Sequence, residues 1–382
     1  MIPQPNKLER FFARYEFSVE HLACASDVDG LPMSQLLAWA DDESLDAWAR
    51  LSLGYTETTG RPELRAEIAG LYATASPEDI VVCGGGAAEA LYLLFHSLLD
   101  PGDAAAVVWP AFEPLIRIAP TSGTDVQLIP LDPASGWQLD IDDVRRALSQ
   151  RTRVLVVNYP HNPTGATLDA GTMVELVELA GERGITLLSD EVYRLLEYDD
   201  ATRLPAAVDL DERAVSVGVM SKSFGLAGLR IGWIACRDAK LRERVLTLKD
   251  YTSVCASAPA EVLATAALRA KDKVIGRCLD IVTDNLRHVD AFLAARSDLI
   301  EWSRPTGGTV GYPRLVPPWP IEEFVDDLVR EHGVLLLPGA VFDDPANRFR
   351  LGLGRRSLSQ ALDRLDAFLV SRLHGTDARR AT

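Results

Sequence analysis

The chain has 382 residues, of which 47% are hydrophobic and 25% charged, and its formal net charge is −16 at pH 7. That length is too great for one small core and suits two domains. The acidic balance argues against broad contact with nucleic acid phosphates or with an anionic membrane surface, although a local basic pocket can still bind one phosphate.

From about Leu51 to Arg237 short apolar runs alternate with longer helical patterns. Ile80 to Cys83 reads as a buried strand, followed by a glycine turn and a helical stretch from Ala87 to Leu99. Ala104 to Val108 and Val126 to Pro130 are the next strands, then a helix near Ile141 to Leu148. A strand over Val154 to Asn158 and a helix over Leu168 to Arg183 follow. Ile185 to Ser189, Ala214 to Val219 and Ile231 to Cys236 complete the strands. This alternation predicts an α/β fold with a mostly parallel sheet flanked by helices. Such sheets carry ligands at the carboxyl ends of their strands. Beyond Arg237 long helices run to about Ala295, and Glu301 to Leu373 reads as a smaller α+β unit. The predicted division is an N-terminal segment, 1–45, that joins the small domain, a large domain over 46–285 and a small domain over 286–382. His374 to Thr382 are expected to lack regular structure.

Five cysteines, Cys24, Cys83, Cys236, Cys255 and Cys278, are widely spaced and form no C-x-x-C pair. A disulfide framework or a zinc site is not expected, no other metal is called for, and a reducing cytoplasm is the simpler setting. The polar N-terminus lacks the apolar stretch of a signal peptide. No apolar run approaches the ~20 residues of a membrane span.

Five segments carry chemistry. Gly84-Gly85-Gly86-Ala87 lies between a strand and a helix, where backbone N–H groups and the helix dipole attract an anion. Read alone, it is equally a tight strand-to-helix turn. Asn162-Pro163-Thr164-Gly165 is a polar turn at the end of an apolar strand, where functional loops concentrate. Asp190 closes another apolar strand and is costly there without a partner; a helix N-cap is the plainer role. Lys222 lies among small and apolar residues, a setting that lowers a lysine pKa and favours imine formation. Downstream, Arg230 can clamp a phosphate, and Arg350, in an alternating strand, can grip a carboxylate. Read alone, Arg350 could be an edge-strand arginine that faces solvent, and Lys222 an exposed lysine in a loop, although the apolar run after it argues against a solvated loop.

In this order along the chain the segments resemble the class I/II aminotransferases, which use pyridoxal 5′-phosphate (PLP) on fold type I. The resemblance runs from about Leu53 to Gly354. It rests on YTETTGRPELR, the glycine turn, the Asn-Pro-Thr-Gly turn, Ser-Asp-Glu-Val-Tyr, Ser-Lys with its downstream Gly-x-Arg-x-Gly, GVLLLPGAVF and FRLGLG. It implies that Lys222 is the Schiff-base lysine and proton carrier, and that Asp190 pairs with the pyridinium nitrogen. Tyr193 and Asn162 would bind the ring's phenolic oxygen, and Phe112 would stack on the ring. Phosphate would be held by the backbone around Gly85, Gly86 and Ala87, by Ser221 and Arg230, and by Tyr55 of a neighbouring subunit. The resemblance therefore implies a homodimer with shared sites. Arg350, helped by Asn162, would bind the substrate α-carboxylate.

Two departures stand out. Val219 occupies a position where some relatives carry a phosphate-binding hydroxyl. The segment CASDVDGLPMSQLL, residues 24–37, stands in place of the usual Gly-x-Pro-type turn beside the substrate. No second arginine can be assigned to a dicarboxylate, which argues against aspartate as substrate. The leading expectation is transfer of an amino group from an amino acid to a 2-oxo acid. The alternative is elimination, replacement, cyclisation or oxidation in specialised metabolism, of the capreomycidine-synthase type. An effector-sensing, non-catalytic domain is disfavoured, because no basic helix-turn-helix segment precedes the fold.

Overall fold

The computed structural model describes residues 4–317 and 319–380. Its centre is a seven-stranded sheet: β1 Ile80–Cys83, β2 Ala104–Trp109, β3 Asp125–Pro130, β4 Thr152–Asn158, β5 Thr186–Asp190, β6 Val215–Val219 and β7 Gly232–Cys236. The order across it is β1-β7-β6-β5-β4-β2-β3. Neighbours from β6 through to β3 are parallel, whereas β7 runs against both β6 and β1. The carboxyl ends of β1, β4, β5 and β6 therefore share one edge with the start of β7.

Alternate residues of each strand enter opposite cores. Ala106, Val108, Leu155, Val157 and Leu187 pack into one cluster. Ala105, Val107, Val154, Val156 and Leu188 pack into another, against Leu91, Leu94 and Phe95 of the helix Ala87–Leu98. Both faces are covered, which is why these strands read as unbroken apolar runs. Each fully buried Leu or Phe contributes roughly 1.5–3 kcal/mol through burial. A third cluster joins Ile80, Val82 and Trp233 to Leu64 and Ile68 of Pro62–Ala69 and to Leu263 and Ala267 of Ala258–Arg269. Leu31 and Leu36 belong to it as well.

Helices Ala239–Lys249, Ala258–Arg269 and Lys271–Ala295 follow the sheet, and the last passes through residue 285 without a break. In the C-terminal unit Phe349–Gly352 pairs antiparallel with Val310–Gly311 on one side and Leu337–Pro338 on the other. Helices Ile321–His332 and Leu358–Arg380 accompany it. Near the N-terminus His21–Leu22 pairs in parallel with Val334–Leu335, so the first residues return to this unit. Residues from His374, expected to lack regular structure, continue the last helix to Arg380; 381 and 382 lie outside the described residues.

Candidate active site

A cavity of about 400 Å³ opens at the sheet edge where the strand ends meet. Asn158 ends β4, Asp190 ends β5 and Val219 ends β6, and all three line it. The Asn158 side chain ties two of these ends together. Its Nδ2 donates to the Asp190 carbonyl at 2.8 Å, and its Oδ1 accepts the Asn162 N–H at 2.9 Å. Reading the sequence for catalytic groups passed over Asn158, because a single amide closing a strand has no signature of its own.

One end of the cavity suits a phosphate. The helix Ala87–Leu98 starts at Gly86, whose φ of 73° suits glycine, and no side chain caps it. Ala87 and Ala88 face the cavity, as do Ser221 and Arg230. Gly85 and Gly86 do not: the Gly85 N–H donates to Glu89 Oε2 at 2.7 Å, and the Gly86 N–H to the Cys83 carbonyl. The glycines shape the turn, and the amides of Ala87 and Ala88 are the ones left to an anion. Arg230, in the left-handed region at φ 55°, donates to the carbonyls of Ala227 and Gly85, both at 3.1 Å. Gly232 leaves the space for this arrangement, since a Cβ there would lie 2.5 Å from the Gly86 carbonyl carbon.

The other wall holds the titratable groups. No helix follows Asp190. Its Oδ1 accepts the Val192 N–H at 3.2 Å in a turn, so the helix-cap role does not apply. Burial pushes its carboxyl up to about 7, against the pull of that N–H and of Lys222. Burial also brings the Lys222 amine down to about 8, opposed by the nearby Asp27 carboxylate. Lys222 Nζ donates to Ser26 Oγ at 2.8 Å. The Ser26 carbonyl in turn accepts from Tyr193 Oη and Thr309 Oγ1, both at 2.9 Å. Phe112 and Asn162 line the same space.

Arg350 is fully buried on Phe349–Gly352. Its Nε donates to the Cys24 carbonyl at 3.1 Å and its Nη1 to Asn162 Oδ1 at 3.2 Å, while Nη2 has no partner. A buried guanidinium with a spare donor is poised for an acidic ligand. The segment from Cys24 to Asp29 is pinned between Arg350 and Arg355, which donates to Asp27 Oδ1 at 2.9 Å. Ala25, Ser26 and Asp27 face the cavity, together with Leu8, Glu9, Phe12 and Glu16 around the N-terminal helix Lys7–Tyr15. Glu16 is raised by burial first, then by Asp27 and Glu9. The unusual segment 24–37 covers Ala25, Ser26 and Asp27, whereas Leu8, Glu9, Phe12 and Glu16 carry no mark in the sequence.

Lys222, Asp190, Tyr193, Asn162, Phe112, Ala87, Ser221 and Arg230 thus surround one space, with Arg350 bonded to its Asn162 wall. Tyr55 stands apart, 94% exposed.

These groups fit PLP. The uncapped helix start with Ser221 and Arg230 suits the phosphate, Asp190 can pair with a protonated ring nitrogen, and Lys222 can be neutral near pH 8 to form an imine. When bound, the cofactor supplies the electron sink for chemistry at the α-carbon of an amino acid. Fold and cavity together define the class, a PLP-dependent enzyme of fold type I. Comparison with known families makes the assignment particular. The pattern of the family "Aminotransferase class I and II" matches residues 26–365, and the chain belongs to that family.

Among its relatives is capreomycidine synthase from Streptomyces vinaceus, 35% identical over 85% of this chain and 82% of the relative. A probable N-succinyldiaminopimelate aminotransferase from Mycobacterium tuberculosis is 31% identical over 71% of this chain and 68% of its own. A PLP-dependent aminotransferase from Streptococcus suis has a similar structure, with a TM-score of 0.91 at 28% identity over 97% and 99% of the two chains. A PLP-dependent cyclase superposes with a TM-score of 0.87 at 28% identity, over 97% and 98%. No helix among the described residues is long and apolar enough to cross a membrane.

Proposed function

We propose that the chain moves the amino group of an amino acid to a 2-oxo acid, with Lys222 carrying the proton at the α-carbon. The observation that carries this reading is the meeting of Lys222, Asp190 and the Asn162–Arg350 pair at one cavity. Arg350 and Asn162 would orient the substrate carboxylate. Asp190 would hold the ring nitrogen protonated, and Lys222, neutral above about 8, would accept a proton.

The substrate side of the cavity narrows the choice of side chain. Glu9, Glu16 and Asp27 face it, and neither Glu9 nor Glu16 forms an ion pair among the described residues. A second substrate carboxylate would be repelled there, whereas a side chain ending in a cation would be attracted. Arginine and its neutral isostere citrulline separate the two cases: turnover of arginine should exceed that of citrulline, and equal turnover removes the acidic wall from the argument.

The second reading, cyclisation or elimination, draws on the capreomycidine synthase relative and the PLP-dependent cyclase neighbour. An absorbance scan with added amino acid separates the two. Conversion of the blue-violet band to a near-ultraviolet one, reversed by a 2-oxo acid, supports transamination. Ammonia release or a cyclised product with the cofactor band unchanged supports the second reading.

The exposed Tyr55 favours a homodimer in which it reaches the partner's phosphate. Five free cysteines suit a reducing cytoplasm.

A further inference from the structure

We propose that the Ser26 hydroxyl is a positioning residue that docks the Lys222 amine whenever that amine is not bonded to the cofactor. The inference rests on Lys222 being the cofactor lysine. A lysine of this kind must be released for part of each cycle, and during that time it needs a defined place from which to give and take a proton. The hydrogen-bond partner of the Lys222 amine is Ser26 Oγ at 2.8 Å.

Three features make the contact a built one. Ser26 is held through its backbone, since its carbonyl accepts from Tyr193 Oη and Thr309 Oγ1, both at 2.9 Å. Its side chain is therefore free for Lys222. The flanking segment is fixed to the C-terminal unit: Arg350 Nε donates to the Cys24 carbonyl, the Gly352 N–H to the Ala23 carbonyl and the Asp29 N–H to the Gly354 carbonyl. The close approach is also specific, because Gly352 and Gly354 leave no room for a side chain. A Cβ on either would come within 2.2 Å of the Ala25 or Asp27 carbonyl oxygen. Two sequence-distant segments thus place one hydroxyl against one amine.

The charges around the amine explain why a neutral acceptor is useful. Asp27 and Asp190 favour the ammonium, Arg350 and Arg355 disfavour it, and burial disfavours it most. When Lys222 takes up a proton, the new N–H can donate to Ser26 Oγ without the strong hold of a carboxylate. The proton then remains available for return to the substrate.

The test uses Ser26→Ala and Ser26→Thr, both of which keep the backbone carbonyl and its two donors. The first measurement is made on cofactor-free protein, as the pH dependence of the rate at which added PLP becomes covalently attached. The second is the ¹⁵N NMR titration of the Lys222 amine. Loss of one hydrogen bond to a charged group should lower the Lys222 midpoint by about one pH unit in Ser26→Ala, with Ser26→Thr restoring it. In the loaded enzyme, kcat should fall about tenfold with KM little changed, and the isotope effect of α-deuterated substrate should rise. An unshifted midpoint in Ser26→Ala overturns the proposal, as does an equal shift in both variants, which would point to packing alone. If wild-type protein attaches no PLP at any pH, the cofactor assignment fails instead, and the NMR titration still decides whether Ser26 governs the amine.

Discussion

Arg350 illustrates how a single side chain acquires a role from its surroundings. The sequence places it in an alternating strand, which alone permits an exposed arginine. Burial at 0% exposure, with Nη1 on Asn162 and Nη2 unpartnered, rules out a solvent-facing side chain and suits the proposed grip on an anion. Arg350→Lys keeps the charge and loses the fork, so KM for the amino acid should rise by about tenfold or more. Steady-state kinetics with one saturating 2-oxo acid measure this, and an unchanged KM removes Arg350 from carboxylate binding. Asp190 makes a second prediction, now of stability. Its folded value near 7 lies above the ordinary 3.8, so between those values the folded chain holds a proton that the unfolded chain has lost. Stability from this residue is present at low pH and is lost as pH rises through about 7. Asp190→Asn cannot titrate. Relative to that variant, cofactor-free wild-type protein should lose denaturation midpoint as pH rises over this window. A difference that does not change with pH would show that Asp190 is ionised throughout.

At the scale of elements, the site depends on how closely β7 passes the first turn of Ala87–Leu98. The start of β7 at Gly232 is paired with Cys83 of β1 and Val219 of β6. A Cβ at Gly232 would sit 2.5 Å from the Gly86 carbonyl carbon and 2.8 Å from the Ala87 nitrogen, and both are backbone atoms that cannot step aside alone. Gly232→Ala should therefore displace the helix start and weaken PLP binding by at least about tenfold, with some loss of stability. Gly228→Ala is the matched control, as nothing lies within 4 Å of its Cβ position. Cofactor titration by absorbance reads both. Equal affinities in the two variants would mean that the turn does not form the phosphate site. The glycine turn itself was readable as an anion site, but the division of labour within it was not. Glu89 lies beyond the motif and takes the Gly85 N–H, so the donating amides shift on to Ala87 and Ala88.

For the whole molecule, the proposed homodimer would bring a second copy to the site. Tyr55 at 94%, Tyr251 at 88% and Leu53 at 82% exposure are among the large side chains that the chain leaves in solvent. If Tyr55 serves the partner's phosphate, a Lys222→Ala chain and a Tyr55→Ala chain fail in opposite sites. Each mixed dimer then holds one intact site of two, so an equal mixture reassorted at random should regain up to about a quarter of wild-type activity per total site. Light scattering on the same samples checks the dimer. Absence of recovery in samples proved to be mixed dimers would confine each site to one chain.

How far the sequence went differs by feature, for physical reasons. Strand and helix positions were legible because burial on both sheet faces demands unbroken apolar runs, as in β4 and β6. Lys222, Asp190 and Arg230, which line the cavity, were picked out through the order of the segments and its family resemblance, since a strand-end acid read alone fits a helix cap at least as well. The N-terminal wall of the cavity was legible only in part, as the departure at residues 24–37. Glu9, Glu16, Ser26 and Asp27 reach the cavity only because His21–Leu22 pairs with Val334–Leu335 and carries the N-terminal segment back over the strand ends. By itself the sequence determined the family chemistry, a lysine, a carboxyl and an arginine in a fixed order along an α/β pattern. Which N-terminal side chains line the cavity, and which hydroxyl meets the lysine, was decided only by tertiary structure, because contacts between residues hundreds of positions apart leave no periodic trace in either partner.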